Sequence, residues 1–342
     1  MSITLLTTAQ EFDDLENEWN ALLSRSAQNL PFLRHEYLST WWQTRGGEEW
    51  RDGDLFIVTL RSEAGQLNGI APLFRTRNAA GEQAVMFLGS YEISDYLDFI
   101  ASPEHLSAII EATLDVFLQP DAPAWDVLDF YNLLEDSPSL PVLEAAAARR
   151  GLQFQRENLQ VAPRIVLPST WDEYLMQIEG KQRREIRRKL RRAAAYFAPV
   201  SWYIVEDESA LDAEFDDFLE LMAYDPEKQA FLTEVMRSQM RSAVHTAFKA
   251  GWLQLAFLTV GGKKAAAYLN FDYDNKIWVY NSGLNFEFQE LSPGWVLLAH
   301  LIQWAIEHGR TVFDMMRGDE VYKYRFGGVD RLVQRVRLTR AG

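Results

Sequence analysis

Apolar positions in the first half of the chain alternate between helical and strand spacings. Between Glu11 and Leu23 they return every three or four residues, which is typical of an amphipathic helix. Further helices are predicted at 35–44, 104–118 and 138–150, the last ended by Gly151. Strands bounded by turn residues are predicted at 55–60, 69–75, 84–89, 96–101 and 127–132. Strands that alternate with helices indicate an α/β sheet.

The second half repeats this order of elements. Strands at 252–260 and 265–273 meet at Gly261 and Gly262, and a strand at 277–282, a helix at 292–308 and a strand at 312–316 follow. We therefore predict an α/β fold of two tandem halves, 1–165 and 166–342, with mixed central sheets flanked by helices. The second half is expected to begin with a basic amphipathic helix over 170–197.

Composition narrows the class of protein. The 342 residues are 48% hydrophobic and 13% aromatic, which excludes a disordered chain. Cysteine is absent, which excludes disulfides, thiolate metal sites and a Cys nucleophile. The net charge of −15 repels nucleic acid and anionic membrane surfaces.

The N-terminus lacks the features of a signal peptide, and no apolar run is long enough to span a membrane. We therefore expect a cytoplasmic protein without membrane insertion.

Residues 181–192 are strongly basic, with eight basic residues and one acid inside an acidic protein. Thr170 and Glu173 form a capping-box pattern that starts the predicted helix. Its apolar stripe leaves Arg184, Arg187 and Arg188 on the opposite face. Such a face is either solvated or binds phosphate, as in a coenzyme A donor or a tRNA.

Two C-terminal features carry candidate chemistry. Ser292 is a suitable N-cap and Pro293 a suitable first residue for the helix that follows, and a helix N-terminus attracts anions. Acids, bases and phenols then crowd into 311–328, a density typical of a functional site, with a salt-bridged turn as the alternative. The five histidines show no metal-binding spacing, and we expect no metal.

The run from Trp171 to Tyr174, the arginine-rich helix after it, the LSPG sequence at 291–294 and the RGDEVYKYRFG sequence at 317–327 resemble a known family. It is the CelD-like branch of the GNAT acetyltransferases, named for cellulose biosynthesis and distantly related to FemAB peptidyltransferases. The resemblance covers about 30–335. It implies two acetyltransferase-like halves, with strand 277–283 splayed to hold an acyl thioester.

The resemblance also implies roles for particular residues. Ser292, Gly294 and Trp295 would face the phosphates of acetyl-CoA or another acyl-CoA. The loop QELSPG at 289–294 departs from the superfamily's glycine-rich phosphate loop, so Arg184, Arg187 and Arg188 are candidate substitutes.

Direct attack by an amine or hydroxyl acceptor needs a base and a proton donor. Candidate catalytic residues are Tyr322 as leaving-group acid, Lys323 as a substrate or oxyanion partner, and Asp319 and Asp314 as bases, with Tyr324 a second candidate acid. For the acceptor, the candidates are Asp95, Tyr96, Asp98 and Tyr280, although the three in the first half are equally consistent with a polar strand edge.

Three functions remain open at this point. The first is an acyl-CoA-dependent N- or O-acyltransferase acting on a cell-envelope or polysaccharide precursor. The second is a FemAB-like aminoacyl-tRNA-dependent transferase, for which tRNA would be a partner; no coiled-coil insertion is evident between 198 and 250. The third is a non-catalytic binding module on the same fold. The sequence gives no indication of oligomeric state.

Overall fold

The computed structural model describes residues 1–50 and 52–340. The strands are β1 (Ser2–Leu6), β2 (Asp54–Leu55), β3 (Ile57–Arg61), β4 (Leu67–Ala71), β5 (Leu73–Arg77), β6 (Gln83–Phe87), β7 (Ile100–Ala101), β8 (Val127–Leu134), β9 (Leu152–Val161), β10 (Arg164–Val166), β11 (Val200–Ile204), β12 (Leu253–Val260), β13 (Lys263–Tyr273), β14 (Lys276–Leu284), β15 (Val312–Asp314) and β16 (Leu332–Arg340). The helices are α1 (Ala9–Asp13), α2 (Glu16–Leu23), α3 (His35–Thr44), α4 (Leu106–Leu118), α5 (Ser139–Arg149), α6 (Trp171–Gln177), α7 (Gly180–Ala194), α8 (Leu211–Ala223), α9 (Pro226–Phe231), α10 (Glu234–Lys249), α11 (Pro293–Glu307) and α12 (Val321–Arg325).

The chain forms two compact units. The first contains residues 1–160 together with 332–342, and the second contains 161–331. The predicted boundary at 165 therefore needs a correction, because β16 belongs to the first unit. It pairs antiparallel with β8, and Arg335 in it forms a salt bridge to the buried Asp129. This pairing joins residues about two hundred positions apart, which local periodicity does not report.

The first unit has a four-stranded sheet, β1-β3-β4-β7, and a six-stranded sheet, β2-β5-β6-β8-β16-β9. The strand predicted at 69–75 is split at Pro72 into β4 and β5, which lie in different sheets. Proline has no N–H for a ladder, so the chain can leave one sheet there and enter the other. The strand predicted at 96–101 is reduced to β7.

The second unit has one mixed sheet in the order β10-β15-β14-β13-β12-β11. The crossover from β14 through α11 to β15 gives the only parallel pair among these strands in the part of the chain that is described. On the sheet, α8 packs closely against β14: a Cβ at Gly283 would lie 2.6 Å from the backbone of Leu221 and Met222. Helices α8 to α10 therefore fold onto the unit rather than forming a projecting arm.

The predicted helix over 170–197 is two helices. The Thr170 capping box is confirmed: its hydroxyl accepts from the Glu173 amide at 3.2 Å and the Glu173 carboxylate accepts in return. Ile178 is extended and buried, so α6 ends at Gln177 and α7 begins at Gly180. The chain changes direction at Ile178, where burial of this side chain separates α6 from α7. The apolar stripe that suggested one continuous helix is therefore divided between these two helices. Among the described residues, no helix is long and apolar enough to cross a membrane.

Candidate active site of the second unit

Strands β14 and β15 separate after a short parallel pairing. They pair from Lys276 to Trp278 on β14, and β14 then continues to Leu284 with β13 as its only partner strand in the described chain. The ladder to β13 passes directly from Asn281 to Val279, so Tyr280 is the extra residue of a β-bulge. The separation leaves an open strand edge that can pair with an extended ligand.

A cavity of about 230 Å³ opens where β14 ends and α11 begins. Its lining residues are Leu284, Asn285, Phe286, Gln289, Ser292, Pro293, Gly294 and Trp295. A Cβ at position 294 would lie 2.7 Å from Leu284 Cδ2, so glycine permits this close approach. Ser292, Gly294 and Trp295, which the resemblance assigns to the donor phosphates, line this cavity, and their role in donor binding stays a prediction.

The first turn of α11 offers few free amides. Pro293 has none, and the amides of Trp295 and Val296 both donate to the Ser292 carbonyl. The Gly294 amide makes no backbone hydrogen bond in the described chain and is available to an anion. A helix start with one free amide is a weaker anion site than a glycine-rich loop.

A lysine of α7 lies at this helix start. Lys189 Nζ donates to Ser292 Oγ at 2.6 Å and lies 4.6 Å from the centroid of the Trp295 ring. Ser292 is therefore not the side-chain cap that was predicted: it has φ 52° and makes no capping bond. Burial lowers the pKa of Lys189, while Glu185, 3.7 Å away, opposes that shift. Sequence reasoning missed this residue.

The three arginines predicted to bind the donor lie elsewhere. Arg184, Arg187 and Arg188 are exposed and do not line the cavity. Arg188 pairs with Glu185 at 2.7 Å, and Arg187 lies 3.8 Å from Asp172. The α7 face with Ile186 and Ala193 is buried, and Lys189 lies beside it, so the arginines on the opposite face point away from α11.

A cluster of titratable side chains surrounds Glu320, next to the open edge of β14. Burial raises the pKa of Tyr322 and of Tyr268, and the Glu320 carboxylate raises both further. Lys228 donates to the Ser282 carbonyl at 2.6 Å; burial lowers its pKa, and Asp225 and Glu320 oppose the shift. Tyr268 is the ladder partner of Ser282, whose carbonyl accepts from Lys228, and the Glu320 charge acts on Tyr268, Lys228 and Tyr322. Tyr322 was predicted here, whereas Glu320, Tyr268 and Lys228 were not.

Lys323 has a structural position, which corrects its predicted contact with substrate. Residues 321–325 form helix α12, in which Lys323 is buried. Its buried ammonium donates to the carbonyls of Met316, Arg317 and Gly318 at 3.0, 2.6 and 3.2 Å. A salt bridge to Glu320 at 2.9 Å completes its partners. Lys323 thereby fixes the loop after β15 and positions Glu320.

The two predicted aspartate bases are not equivalent. Asp314 is buried, pairs with Arg331 at 2.6 Å and accepts from the Met316 amide at 3.0 Å. This enclosed ion pair corrects its predicted role as a base. Asp319 is exposed in the loop before Glu320. Tyr324, the second candidate acid, is 39% exposed, and desolvation together with the Asp330 carboxylate raises the pKa of its phenol.

Three of the predicted acceptor residues lie in the first unit, and two of these are structural. Tyr96 is buried, with its ring 6.3 Å from that of Phe32. Asp98 accepts from the hydroxyls of Ser137 and Ser139, and burial raises its pKa to about 6 although those bonds oppose the shift. Asp95 is half-buried.

The fourth predicted acceptor residue, Tyr280, lies in the second unit. It is half-buried at the bulge of β14, and its ring stacks on Phe271 at 5.1 Å. Over the described ranges 1–50 and 52–340, no group of three or more His, Cys, Asp or Glu side chains is arranged to hold a metal ion.

Comparisons with known proteins agree with this fold. Residues 180–324 match the model of the acetyltransferase (GNAT) domain. No curated protein matches the chain. Among solved structures it is similar to FemX, at 13% identity over 98% of this chain and 97% of that one, with a TM-score of 0.68. It is also similar to a conserved protein of unknown function from Bacteroides thetaiotaomicron, at 12% identity over 99% and 100% with a TM-score of 0.60. L-PGS from Bacillus licheniformis matches at 11% identity over 94% and 90% with a TM-score of 0.57.

These similarities confirm the predicted fold class, mixed sheets flanked by helices in an acetyltransferase-like arrangement. The matched residues contain the separated strands, the cavity at α11 and the Glu320 cluster. The CelD-like branch stays a prediction.

Proposed function

We propose that the second unit transfers an acyl group from a coenzyme A thioester to an amine or hydroxyl. The observation that supports this most directly is the open edge of β14, which leads to the cavity at the start of α11. A strand edge suits the amide groups of a pantetheine arm, and the start of a helix suits a pyrophosphate. The two features are contiguous because β14 ends at Leu284, which lines the cavity.

In this proposal Lys189 compensates for the sparse amides of α11. The pyrophosphate lies beside the Gly294 amide and the Lys189 ammonium, which is already held at Ser292 and Trp295. A preorganised cation loses little side-chain entropy when an anion binds. The acyl thioester then lies near the bulge at Tyr280, on the side of the Glu320 cluster.

The chemistry assigns one proton transfer to each of two side chains. The acceptor nitrogen or oxygen attacks the thioester carbonyl, the new bond to carbon forms, and the carbon–sulfur bond breaks. Glu320 accepts the proton that the acceptor loses, and the Tyr322 phenol donates its proton to the departing thiolate. Burial and Glu320 raise the pKa of Tyr322, so the phenol keeps its proton at neutral pH. The acceptor class, a cell-envelope or polysaccharide precursor, rests on the CelD-like resemblance alone.

Release of the coenzyme A thiol measures this activity. The protein has no cysteine, so a disulfide reagent reports only the released thiol. Tyr322→Phe is expected to lower kcat by about 10²–10⁴-fold with little change in donor affinity. Tyr324→Phe, which changes a neighbouring phenol that is exposed at the surface, is the matched control and should keep full activity.

Other results would redirect the proposal. Donor binding without thiol release in the presence of varied amines and alcohols would favour a non-catalytic binding module. Equal turnover in wild type and Tyr322→Phe would remove Tyr322 from the reaction.

An aminoacyl-tRNA donor is the second candidate, because the fold is similar to FemX over nearly the whole chain. Helices α8 to α10 fold onto the sheet, which argues against the helical arm of the FemAB type. Transfer from an aminoacyl-tRNA, with none from acyl-CoA, would favour this candidate.

A further inference from the structure

Helix α7 presents a cationic face that the acyl-transfer site does not use. The face consists of six exposed basic residues: Lys181, Arg184, Arg187, Arg188, Arg191 and Arg192. Three of them form salt bridges: Arg187 with Asp172, Arg188 with Glu185 and Arg192 with Glu290. Lys181, Arg184 and Arg191 form no salt bridge with any carboxylate in the described part of the chain.

Apolar side chains lie in solvent at both ends of this helix. Met176, in the last turn of α6 and in contact with Arg183 of α7, has 69% of its surface exposed, and Phe197, shortly after the end of α7, has 89%. Phe197 is the most exposed large apolar side chain among the described residues, and it closely follows the helix that carries the cationic face. An exposed apolar group is stabilised only by a partner that removes it from water.

We propose that the α7 face docks the protein on an anionic lipid surface. A headgroup layer supplies phosphates for the arginines and, directly beneath them, an apolar layer for Met176 and Phe197. A nucleic-acid duplex supplies the phosphates but keeps its bases stacked inside the helix, so the combination of arginines with exposed apolar side chains favours lipid over a duplex. The rest of the chain is acidic, so an anionic lipid surface repels it. Salt screens this repulsion beyond about 8–10 Å, so it acts only on parts of the protein close to the lipid and favours the orientation with α7 facing the surface.

Vesicle co-sedimentation of the full chain tests the proposal. Vesicles of phosphatidylcholine containing phosphatidylglycerol should bind wild type, and vesicles of phosphatidylcholine alone should not. Each basic residue contributes ~1 kcal/mol to binding at such a surface, and about 1.4 kcal/mol corresponds to a tenfold change. The double variant Arg184→Gln, Arg191→Gln should therefore lower the partition coefficient onto the vesicles by roughly thirty-fold. Phe197→Ser should also weaken binding to these vesicles, and its effect should be larger at high salt than at low salt. Salt screens the arginine contacts, so the apolar contact then contributes a larger share of the affinity.

The matched control removes two exposed positive charges elsewhere, with Lys249→Gln and Lys263→Gln. It should stay within about threefold of wild type, since it changes the net charge equally and leaves α7 intact. An equal loss in the control would overturn the proposal, because it would reduce the effect to net charge. It would also be overturned if wild type bound both vesicles alike or neither, or if the α7 variant lost affinity only for an RNA duplex.

Discussion

Replacement of Lys189 by methionine tests the donor site while preserving the shape of the side chain. Lys189 Nζ is held 2.6 Å from Ser292 Oγ at the edge of the cavity, beside the free amide of Gly294. A charged hydrogen bond to a phosphate contributes about 1.5–3 kcal/mol. The dissociation constant for coenzyme A should therefore rise by roughly 10- to 150-fold in Lys189→Met.

Titration calorimetry with two ligands separates this contact from a general change of the site. Coenzyme A carries the pyrophosphate, whereas pantetheine keeps only the arm that is proposed to lie along β14. Lys189→Met should lose affinity for coenzyme A and keep its affinity for pantetheine. Arg184→Met is the comparison variant: the sequence-based expectation is that it weakens coenzyme A binding, and the structure predicts that it does not.

Equal losses of affinity for the two ligands, or a larger loss in Arg184→Met than in Lys189→Met, would contradict a phosphate contact of Lys189. The first result would mean that Lys189 supports the cavity without contacting phosphate. The second would return the arginine face of α7 to the donor site.

Three further predictions concern stability, measured by urea unfolding. Lys323→Met should cost about 2–4 kcal/mol, because the carbonyls it binds lose their donor, whereas a substrate-binding lysine would change KM and leave stability intact. Gly283→Ala should cost about 1–3 kcal/mol, because its Cβ meets the α8 backbone at 2.6 Å, and an unchanged midpoint would contradict that packing. In the folded protein the pKa of Asp98 is raised to about 6, so between pH ~4 and ~6 the folded state binds a proton at Asp98 that the unfolded state does not. The free energy of unfolding should therefore fall by ~3 kcal/mol as pH rises from ~4 to ~6. Asp98→Asn should lack this part of the pH dependence, and identical pH profiles would disprove it.

Local signals in the sequence predicted local structure well. The Thr170 capping box forms with both of its bonds, and α11 starts at Pro293 as its residue pattern indicated. Gly309, which follows the end of that helix, has φ 69°, a conformation that favours glycine. These features depend on residues three or four positions apart, so one segment carries all the information.

The errors depend on contacts between distant residues. β16 pairs with β8 across some two hundred positions, and no periodicity within β16 reports that partner. Lys189 turns inward among arginines that turn outward, because the space beside Ser292 is set by α11. Lys323 is buried against carbonyls that a loop brings to it, although lysine is rarely found inside a protein.

Hydrogen exchange of the full chain with and without acetyl-CoA tests the central claim most directly, the donor site on the open edge of β14. We expect slower exchange in β14 from Val279 to Leu284 and at the start of α11, with the first unit unchanged, because the donor would pair with one strand edge and one free amide. Protection confined to α7, protection only in the first unit, or none at saturating acetyl-CoA would contradict it.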